Sequence, residues 1–168
     1  MGNMQFDADH DNGVLTATRE FNAPVEKVWE AMTNAELFEQ WWGPRGWSTT
    51  VKHMNVEPGD YLLYGMKCED EAQGDWFGKE SWGKSTYEVV NPPNELTYFD
   101  EFCDNEGNVD KNMPGMKITI TFEPTENGTK MISKTTFAKA EDLKTVLDMG
   151  MQEGFTQTWD RLEEFLAK

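Results

Sequence analysis

The sequence has very few of the side chains that usually bind metal ions. Its 168 residues include only two histidines, His10 and His53, and two cysteines, Cys68 and Cys103. Neither histidine belongs to a His-x-x-x-His or Cys-His spacing, and phosphate-binding glycine loops and dinucleotide fingerprints are also lacking. We therefore expect no metal site and no cofactor. The cysteines are interpreted as buried, reduced thiols in strands, although two cysteines also permit one disulfide.

Basic residues are scarce as well. Fifteen Lys and Arg stand against 31 Asp and Glu, which gives a net charge of −16 at pH 7. The resulting field repels nucleic-acid phosphates and anionic lipid surfaces, so we expect neither a nucleic acid nor a membrane as partner. The start of the chain has no basic flank followed by an apolar run, and no membrane span is predicted. These features predict a cytoplasmic protein.

The first third of the chain predicts one strand and two short helices. Residues 14–21 alternate between apolar and polar side chains, as a strand does. Apolar residues from Val25 to Met32 then recur at helical spacing. Thr33 and Glu36 form a capping box that predicts the start of a second helix, and glycine and proline at 43–44 end it.

The middle of the chain predicts six further strands, separated by turn signals. They are placed at residues 47–57, 60–69, 80–90, 94–103, 115–124 and 129–138. Asn127-Gly128 predicts a hairpin with a type I′ turn, which needs positive φ at both central residues. All seven strands are expected to form one curled antiparallel sheet that leaves one face free for a helix.

The end of the chain, residues 141–168, predicts a single long amphipathic helix that packs across the concave face of this sheet. Gly150 and Gly154 interrupt its apolar stripe. Glycine inside a helix costs about 1 kcal/mol relative to alanine, so two of them need a structural reason. Either the backbone approaches the sheet closely, or space is left beneath the helix for a ligand.

Four segments of the sequence resemble one known family, the bacterial proteins similar to the C-terminal domain of the activator of the 90-kDa heat-shock protein ATPase. This family lies within the START/Bet v 1-like (SRPBCC) superfamily. The matching segments are residues 19–29, the Trp-Trp-Gly-Pro run at 41–44, the turn at 91–96, and the helix pieces 149–154 and 159–162.

The resemblance implies an α+β helix-grip fold, with a curled seven-stranded antiparallel sheet, two short helices and one long C-terminal helix. It also implies that residues 1–168 form a single domain, whose polar start, residues 1–13, need not be ordered. Proteins with this fold carry lipids, cyclise polyketides, bind hormones or regulate chaperones, so the fold implies an apolar cavity and leaves the activity open.

A ligand cavity is therefore predicted between the sheet and the last helix. Its candidate lining residues come from the tryptophan turn, the inner faces of the strands and the glycine-containing helix face. They are Trp41, Trp42, Arg45, Trp47, Leu62, Tyr64, Met66, Trp82, Tyr98, Phe102, Met116, Ile118, Gly150, Met151, Glu153, Gly154 and Thr158.

Several of these residues have two interpretations. The three tryptophans either surround the mouth of the cavity or close the core at a helix-to-strand corner. Arg45 between them could hold a ligand carboxylate through its two-pronged guanidinium. Glu153 is either a buried acid with a raised pKa or an exposed helix carboxylate.

Three functions are compatible with these features. The first is binding of an apolar or amphipathic small molecule in the cavity. The second is a protein-interaction module that regulates a chaperone ATPase, as the resemblance implies. The third is a cyclase, dehydratase or hydrolase, with Tyr64, Glu153, Arg45 or His53 handling protons. No spacing in the sequence selects a catalytic residue, so a non-enzymatic role is favoured.

Overall fold

A computed structural model describes residues 4–168 of the chain. Eight antiparallel strands form one sheet in the order β1-β2-β8-β7-β6-β5-β4-β3. The strands are β1 (Gln5–Asp9), β2 (Val14–Phe21), β3 (Trp47–Met54), β4 (Tyr61–Cys68), β5 (Glu80–Asn91), β6 (Glu95–Cys103), β7 (Met116–Pro124) and β8 (Thr129–Phe137). The helices are α1 (Val25–Thr33), α2 (Ala35–Trp41), α3 (Ala140–Asp148) and α4 (Met151–Leu166), with a short 3-10 helix at Glu71–Trp76.

The helix-grip fold and the seven predicted strands are confirmed, but the sheet has an eighth strand, β1, in the polar start of the chain. Gln5–Asp9 pairs with β2 along its whole length. This strand lies at the edge of the sheet, where Asp7 reaches solvent while Phe6 contacts Phe155 with ring centroids 6.0 Å apart. One exposed face allows a strand to be largely polar, which is why its composition did not predict it. Residues 1–3 lie outside the described part of the chain.

The hairpin between β7 and β8 forms where it was predicted, although its turn differs. Neither Asn127 nor Gly128 has positive φ, so the predicted type I′ turn is wrong. The loop covers residues 125–128, and the Thr125 hydroxyl accepts a hydrogen bond from the Gly128 N–H at 3.0 Å. Glycine is required at position 128 because a Cβ there would collide with the carbonyl oxygen of Phe21.

The second helix is capped by Asn34 and not by the predicted capping box of Thr33 and Glu36. The Asn34 side-chain oxygen accepts a hydrogen bond from the Leu37 N–H at 3.1 Å and so caps α2. The Thr33 hydroxyl instead donates to the carbonyl oxygen of Trp29, inside α1, at 2.8 Å. The cap thus moves by one residue, since Thr33 still belongs to the preceding helix.

The C-terminal segment forms two helices, and the prediction of a single helix is wrong. α3 ends at Asp148, and Gly150 takes a left-handed conformation with φ of 88° before α4 begins. Such a conformation favours glycine, which therefore separates the helices. Gly150 is exposed and does not lie inside a helix.

The later part of α4 is fixed to the sheet and to the turn that precedes β3. Trp159 and Leu162 are buried, and the ring of Trp159 contacts Phe21 of β2 with centroids 5.7 Å apart. Arg19 of β2, only 5% exposed, forms an ion pair with Asp160 at 2.6 Å and a second with Glu163 at 3.3 Å. These contacts hold α4 across the inner face of the sheet.

Arg161 fixes the same helix to the α2–β3 turn. Its Nη1 lies 2.9–3.4 Å from the carbonyl oxygens of Trp42, Gly43, Pro44 and Trp47. A nitrogen with two hydrogens cannot satisfy four acceptors at once, so it shares its donors among them. Burial lowers the pKa of Arg161, which nevertheless stays charged because an arginine titrates far above neutrality. One side chain of α4 therefore sets the position of the whole turn.

Replacing Arg161 by methionine should destabilise the fold by about 2 kcal/mol, because the turn carbonyls lose a charged donor. Urea denaturation followed by circular dichroism measures this loss. The matched control is Arg45→Met, which removes a neighbouring arginine that pairs with Glu164 at the surface and should change stability little. Equal losses in the two variants would contradict the anchoring role of Arg161.

Candidate functional site

A cavity of about 200 Å³ lies between the inner face of the sheet and α4. Its walls are mainly apolar side chains from strands β4 to β8, from α1 and α2, from the turn after α2, and from the first half of α4. They are Met32, Phe38, Trp42, Gly43, Pro44, Leu62, Tyr64, Met66, Ser85, Tyr87, Leu96, Tyr98, Asp100, Met116, Ile118, Ile120, Ser133, Met151, Gly154, Phe155, Thr158 and Trp159.

Ten of the residues proposed from the sequence meet around this cavity. They are Trp42, Leu62, Tyr64, Met66, Tyr98, Met116, Ile118, Met151, Gly154 and Thr158. The strand residues alternate with outward-facing neighbours, so the pleat delivers every second side chain to the same wall. Their role in binding remains a prediction, which the structure supports by placing them together.

Gly154 opens the cavity on the helix side. A Cβ at this position would meet no atom within 4 Å, so the helix does not approach the sheet closely here. Of the two explanations for a glycine in the apolar stripe, space beneath the helix is the one that applies to Gly154. Gly150, at the break before α4, does not line the cavity.

The three tryptophans of the turn separate into different environments. Trp41 is fully buried, and its indole N–H donates to the carbonyl oxygen of Ala31 at 3.0 Å, so it belongs to the core. Trp42 stacks on Phe38 with centroids 4.8 Å apart and lines the cavity. Trp47 starts β3, and its indole N–H donates to Gln73 at 3.2 Å, away from the cavity. The core interpretation is therefore correct for Trp41 alone.

Arg45 does not face the cavity. Its guanidinium pairs with both carboxyl oxygens of Glu164 on α4, and its main-chain N–H donates to Gln157 at 3.0 Å. The hydrogen bond to Glu164 raises the pKa of Arg45 and lowers that of Glu164. The charge that was proposed to hold a ligand carboxylate is thus already paired with α4.

Glu153 is exposed on α4, where it accepts a hydrogen bond from Gln157 at 2.9 Å, so of its two interpretations the exposed helix carboxylate is correct and it does not line the cavity. His53 is also outside the cavity and lies 2.9 Å from Asp60. Hydrogen bonds from His53, Asn55 and the Tyr61 N–H lower the pKa of Asp60 to about 2. Of the four proposed proton-handling residues, only Tyr64 reaches the cavity.

Trp82 and Phe102 line a separate surface pocket, where β5 begins and its antiparallel neighbour β6 ends. Trp82 covers Gly65 of β4, where any Cβ would overlap the indole ring. Because successive side chains of a strand point to opposite faces, Trp82 lies on the face opposite Gly83, which contacts Tyr64. Strand alternation places Trp82 outside the cavity, and Phe102 lies beyond its end.

Twelve lining residues were not proposed from the sequence, and among them Asp100 of β6 is the one with an ionisable carboxyl group. Its Oδ1 accepts a hydrogen bond from the Ser85 hydroxyl of β5 at 3.0 Å. Burial raises its pKa to about 7, and the negative charge of Glu101 adds to this while the Ser85 hydrogen bond opposes it. The sequence contained the signal for this position. Tyr98 and Phe102 were assigned to the inner face of the strand, and every second residue of a strand points to the same face, so Asp100 between them belongs to that face as well.

Three phenols surround this carboxyl group. Burial, followed by the charge of Asp100, raises the pKa of Tyr64, Tyr87 and Tyr98. The rings of Tyr87 and Tyr98 meet edge to face with centroids 6.2 Å apart. These phenols therefore remain neutral at physiological pH, and Asp100 is the group of this wall that titrates near neutrality.

Residues 4–168 contain no cluster of three His, Cys, Asp or Glu side chains close enough to bind a metal ion. Both cysteines are free thiols, Cys68 on β4 and Cys103 on β6, with β5 between their strands. The pKa of Cys103 is raised to about 11, mainly by burial and to a smaller extent by the negative charges of Asp104 and Asp100. Within the same range, no helix is both long and apolar enough to cross a membrane.

Comparison with known proteins identifies relatives along almost the whole chain. The model of the family described as "Activator of Hsp90 ATPase homolog 1-like protein" matches residues 22–167. A crystal structure of a Mycobacterium smegmatis protein shares 30% identity over 96% of this chain and 95% of its own, with a TM-score of 0.85. A Staphylococcus epidermidis protein solved by NMR shares 32% identity over 98% and 94%, with a TM-score of 0.82. A search of curated proteins gave no significant match.

Asp100 should make the stability of the protein depend on pH. Its pKa is about 7 in the folded state and 3.8 as a free side chain, so the folded state binds the proton more tightly. Stability is then highest below about pH 4 with respect to this group and decreases as the pH rises to about 7. One pKa unit corresponds to about 1.4 kcal/mol, so the full loss is on the order of 4 kcal/mol.

The measurement is the free energy of unfolding in urea at several pH values for the wild type and for Asp100→Asn. The asparagine cannot ionise, so the variant should gain stability relative to the wild type as the pH rises through this window. Glu101→Gln, a neutralised neighbour on the other side of the strand, serves as the control. If the Asp100→Asn and wild-type curves run parallel, Asp100 does not titrate as described.

Proposed function

The chain belongs to the Activator of Hsp90 ATPase homolog 1-like family, and from the cavity that its fold encloses we propose that it binds a small apolar or amphipathic molecule between the sheet and α4. The family's fold is one that serves ligand binding or protein interaction. The observation that carries this proposal is the open space beneath Gly154, because a helix that only covered the core would have a side chain there.

The size and character of the cavity define the kind of molecule. Protein interiors are normally packed with few voids larger than a water molecule. An apolar cavity of about 150 Å³ can hold benzene, so a cavity of about 200 Å³ can take one or two rings or a short alkyl chain. The walls include four methionines, whose flexible thioethers adapt to differently shaped ligands. They are Met32, Met66, Met116 and Met151.

The partly exposed lining residues indicate where a ligand would enter. Trp42 and Pro44 belong to the turn after α2, and Met151 and Phe155 belong to the first half of α4. All four line the cavity without being fully buried. The opening between this turn and the start of α4 is therefore the proposed entrance, with Arg161 holding the turn in place.

Asp100 is the one group of the cavity wall within residues 4–168 whose pKa lies near neutrality, while Tyr64, Tyr87 and Tyr98 have raised pKa values and remain protonated. This arrangement places a single exchangeable acid in a mainly apolar cavity, where it can pair with a polar group of a ligand.

A second candidate function is contact with a chaperone, which the family's description suggests. One observation favours a protein contact, since Trp76 and Phe77 are adjacent large apolar residues with 59% and 48% of their surface exposed. Both lie at the end of the 3-10 helix, away from the cavity. The two functions would therefore use different surfaces of the same domain.

The chaperone function is tested by adding the purified chain to a purified 90-kDa chaperone and measuring ATP hydrolysis. If it is correct, hydrolysis should change on addition, and the change should be lost when Trp76→Ser and Phe77→Ser are combined. Val89→Ser removes another exposed apolar side chain and should leave the effect intact. An unchanged rate with the wild-type chain would exclude this function.

Filling the cavity from α4 tests the proposed small-molecule binding. Gly154→Leu should place its side chain in the cavity, abolish binding and leave the fold at least as stable, since leucine favours helix by up to about 1 kcal/mol over glycine. Naphthalene, a rigid probe without polar atoms, can be followed by its fluorescence. Thermal denaturation of the same samples reports the stability.

The control is Gln152→Leu, which adds the same side chain at an exposed position two residues earlier on α4. It should bind naphthalene as the wild type does. Unchanged naphthalene affinity in a folded Gly154→Leu variant would show that binding does not use this cavity.

A further inference from the structure

We propose that the cavity selects ligands that carry a hydrogen-bond donor, such as a hydroxyl or an ammonium group, and rejects ligands that carry a carboxylate. This inference rests on the proposed binding function and adds the chemical class of the ligand. It depends on one pair of side chains, Asp100 and Ser85, in a wall whose other side chains are apolar, phenolic or, at Ser133 and Thr158, neutral hydroxyls.

The Asp100 carboxyl group is only half satisfied by the protein. Its Oδ1 accepts the hydrogen bond from Ser85, and among residues 4–168 no hydrogen-bond donor reaches its Oδ2. Asp100 lines the cavity and retains some accessible surface there. Oδ2 is not one of the fully buried unpaired atoms and is open to the cavity. A ligand that donates a hydrogen bond to it therefore forms a charge-assisted contact with the ionised carboxylate.

The cavity contains no positive charge that could balance an acidic ligand. No Lys, Arg or His is among the lining residues. The nearby arginines are already used, Arg45 by Glu164 and Arg161 by the carbonyl oxygens of the turn. A ligand carboxylate would therefore lose its water without gaining a counter-charge. It would also be repelled by the ionised carboxylate of Asp100.

The other polar groups near Asp100 do not reverse this preference. The hydroxyls of Tyr64, Tyr87 and Tyr98 are neutral donors, and they could contact either class of ligand. α4 contributes Met151, Gly154, Phe155, Thr158 and Trp159 to the cavity, none of which titrates, and β7 contributes only apolar side chains. Glu101 is the nearby acid that acts on Asp100, and its negative charge also disfavours an anion.

A series of ligands with one ring system separates this inference from the binding function. The four probes are naphthalene, 2-naphthol, 2-naphthylmethylamine and 2-naphthoate, whose affinities for the purified full chain can be measured by calorimetry. We expect 2-naphthol and 2-naphthylmethylamine to bind about tenfold or more tightly than 2-naphthoate at neutral pH. Naphthalene reports the apolar cavity alone.

The pH dependence gives the series a second, sharper signature. Between about pH 6 and about pH 8 the amine stays protonated and the naphthoate stays ionised, so only the protein titrates. As Asp100 ionises, binding of 2-naphthylmethylamine should strengthen and binding of 2-naphthoate should weaken. The naphthalene affinity should change little over the same range.

The variant that tests the residue is Asp100→Asn, with Glu101→Gln as the matched control for loss of one negative charge. Asp100→Asn should lose the preference for the amine over the naphthoate together with both pH trends, each affinity being expressed relative to the variant's own affinity for naphthalene. Glu101→Gln, whose side chain does not line the cavity, should retain the preference.

The outcomes distinguish the two proposals. If naphthalene binds but 2-naphthoate binds as tightly as 2-naphthol, or if Asp100→Asn keeps the preference, the inference about ligand class is overturned and the binding function stands. If none of the four compounds binds, both proposals are overturned.

Discussion

The attachment of α4 to the sheet is the constraint on which the rest of this structure depends. All of its polar anchors lie between residues 157 and 166: Arg19 pairs with Asp160 and Glu163, Arg161 bonds the turn after α2, and Lys27 donates to the carbonyl oxygen of Leu166 at 3.0 Å. Residues 151–156, at the start of the helix, have no such anchors and include Gly154. A helix fixed at one end can therefore cross a curved sheet and still leave a cavity beneath the other end.

The same arrangement determines the electrostatics of the cavity. The guanidinium groups of the arginines near α4 are all paired with carboxylates or carbonyl oxygens that hold this helix, and none of them lines the cavity. Asp100 is left as the one strongly polar group of the wall, in a chain whose net charge is −16. The arginine charges hold α4 in place, whereas the carboxyl group of Asp100 faces the cavity. This division makes the protein a poor host for anions, inside as well as outside.

Much of the architecture was predictable because it is recorded in local patterns. The strands from Val14 to Phe137 alternate apolar and polar residues, and the tryptophan run and the Gly150 to Gly154 segment resembled a family that the comparisons confirm. The errors have physical causes. β1 is a polar edge strand, Asn34 replaced Thr33 as a cap, and Gly150 ends one helix whereas Gly154 lies in the next. Helical periodicity continues across such a break, so spacing alone could not detect it.

The sequence by itself determined the order of β2 to β8 with the two short helices after β2, the apolar alternation of the strands and the excess of negative charge, because each of these depends on neighbouring residues or on composition. Only the tertiary structure decided which side chains share the cavity. Trp41 and Trp42 are adjacent in the chain, yet one fills the core and the other lines the cavity. Arg45 forms an ion pair with Glu164, 119 residues away, and Asp100 accepts a hydrogen bond from Ser85 on the neighbouring strand. Partners so distant in sequence are set by the packing of the helix on the sheet, which no local pattern contains.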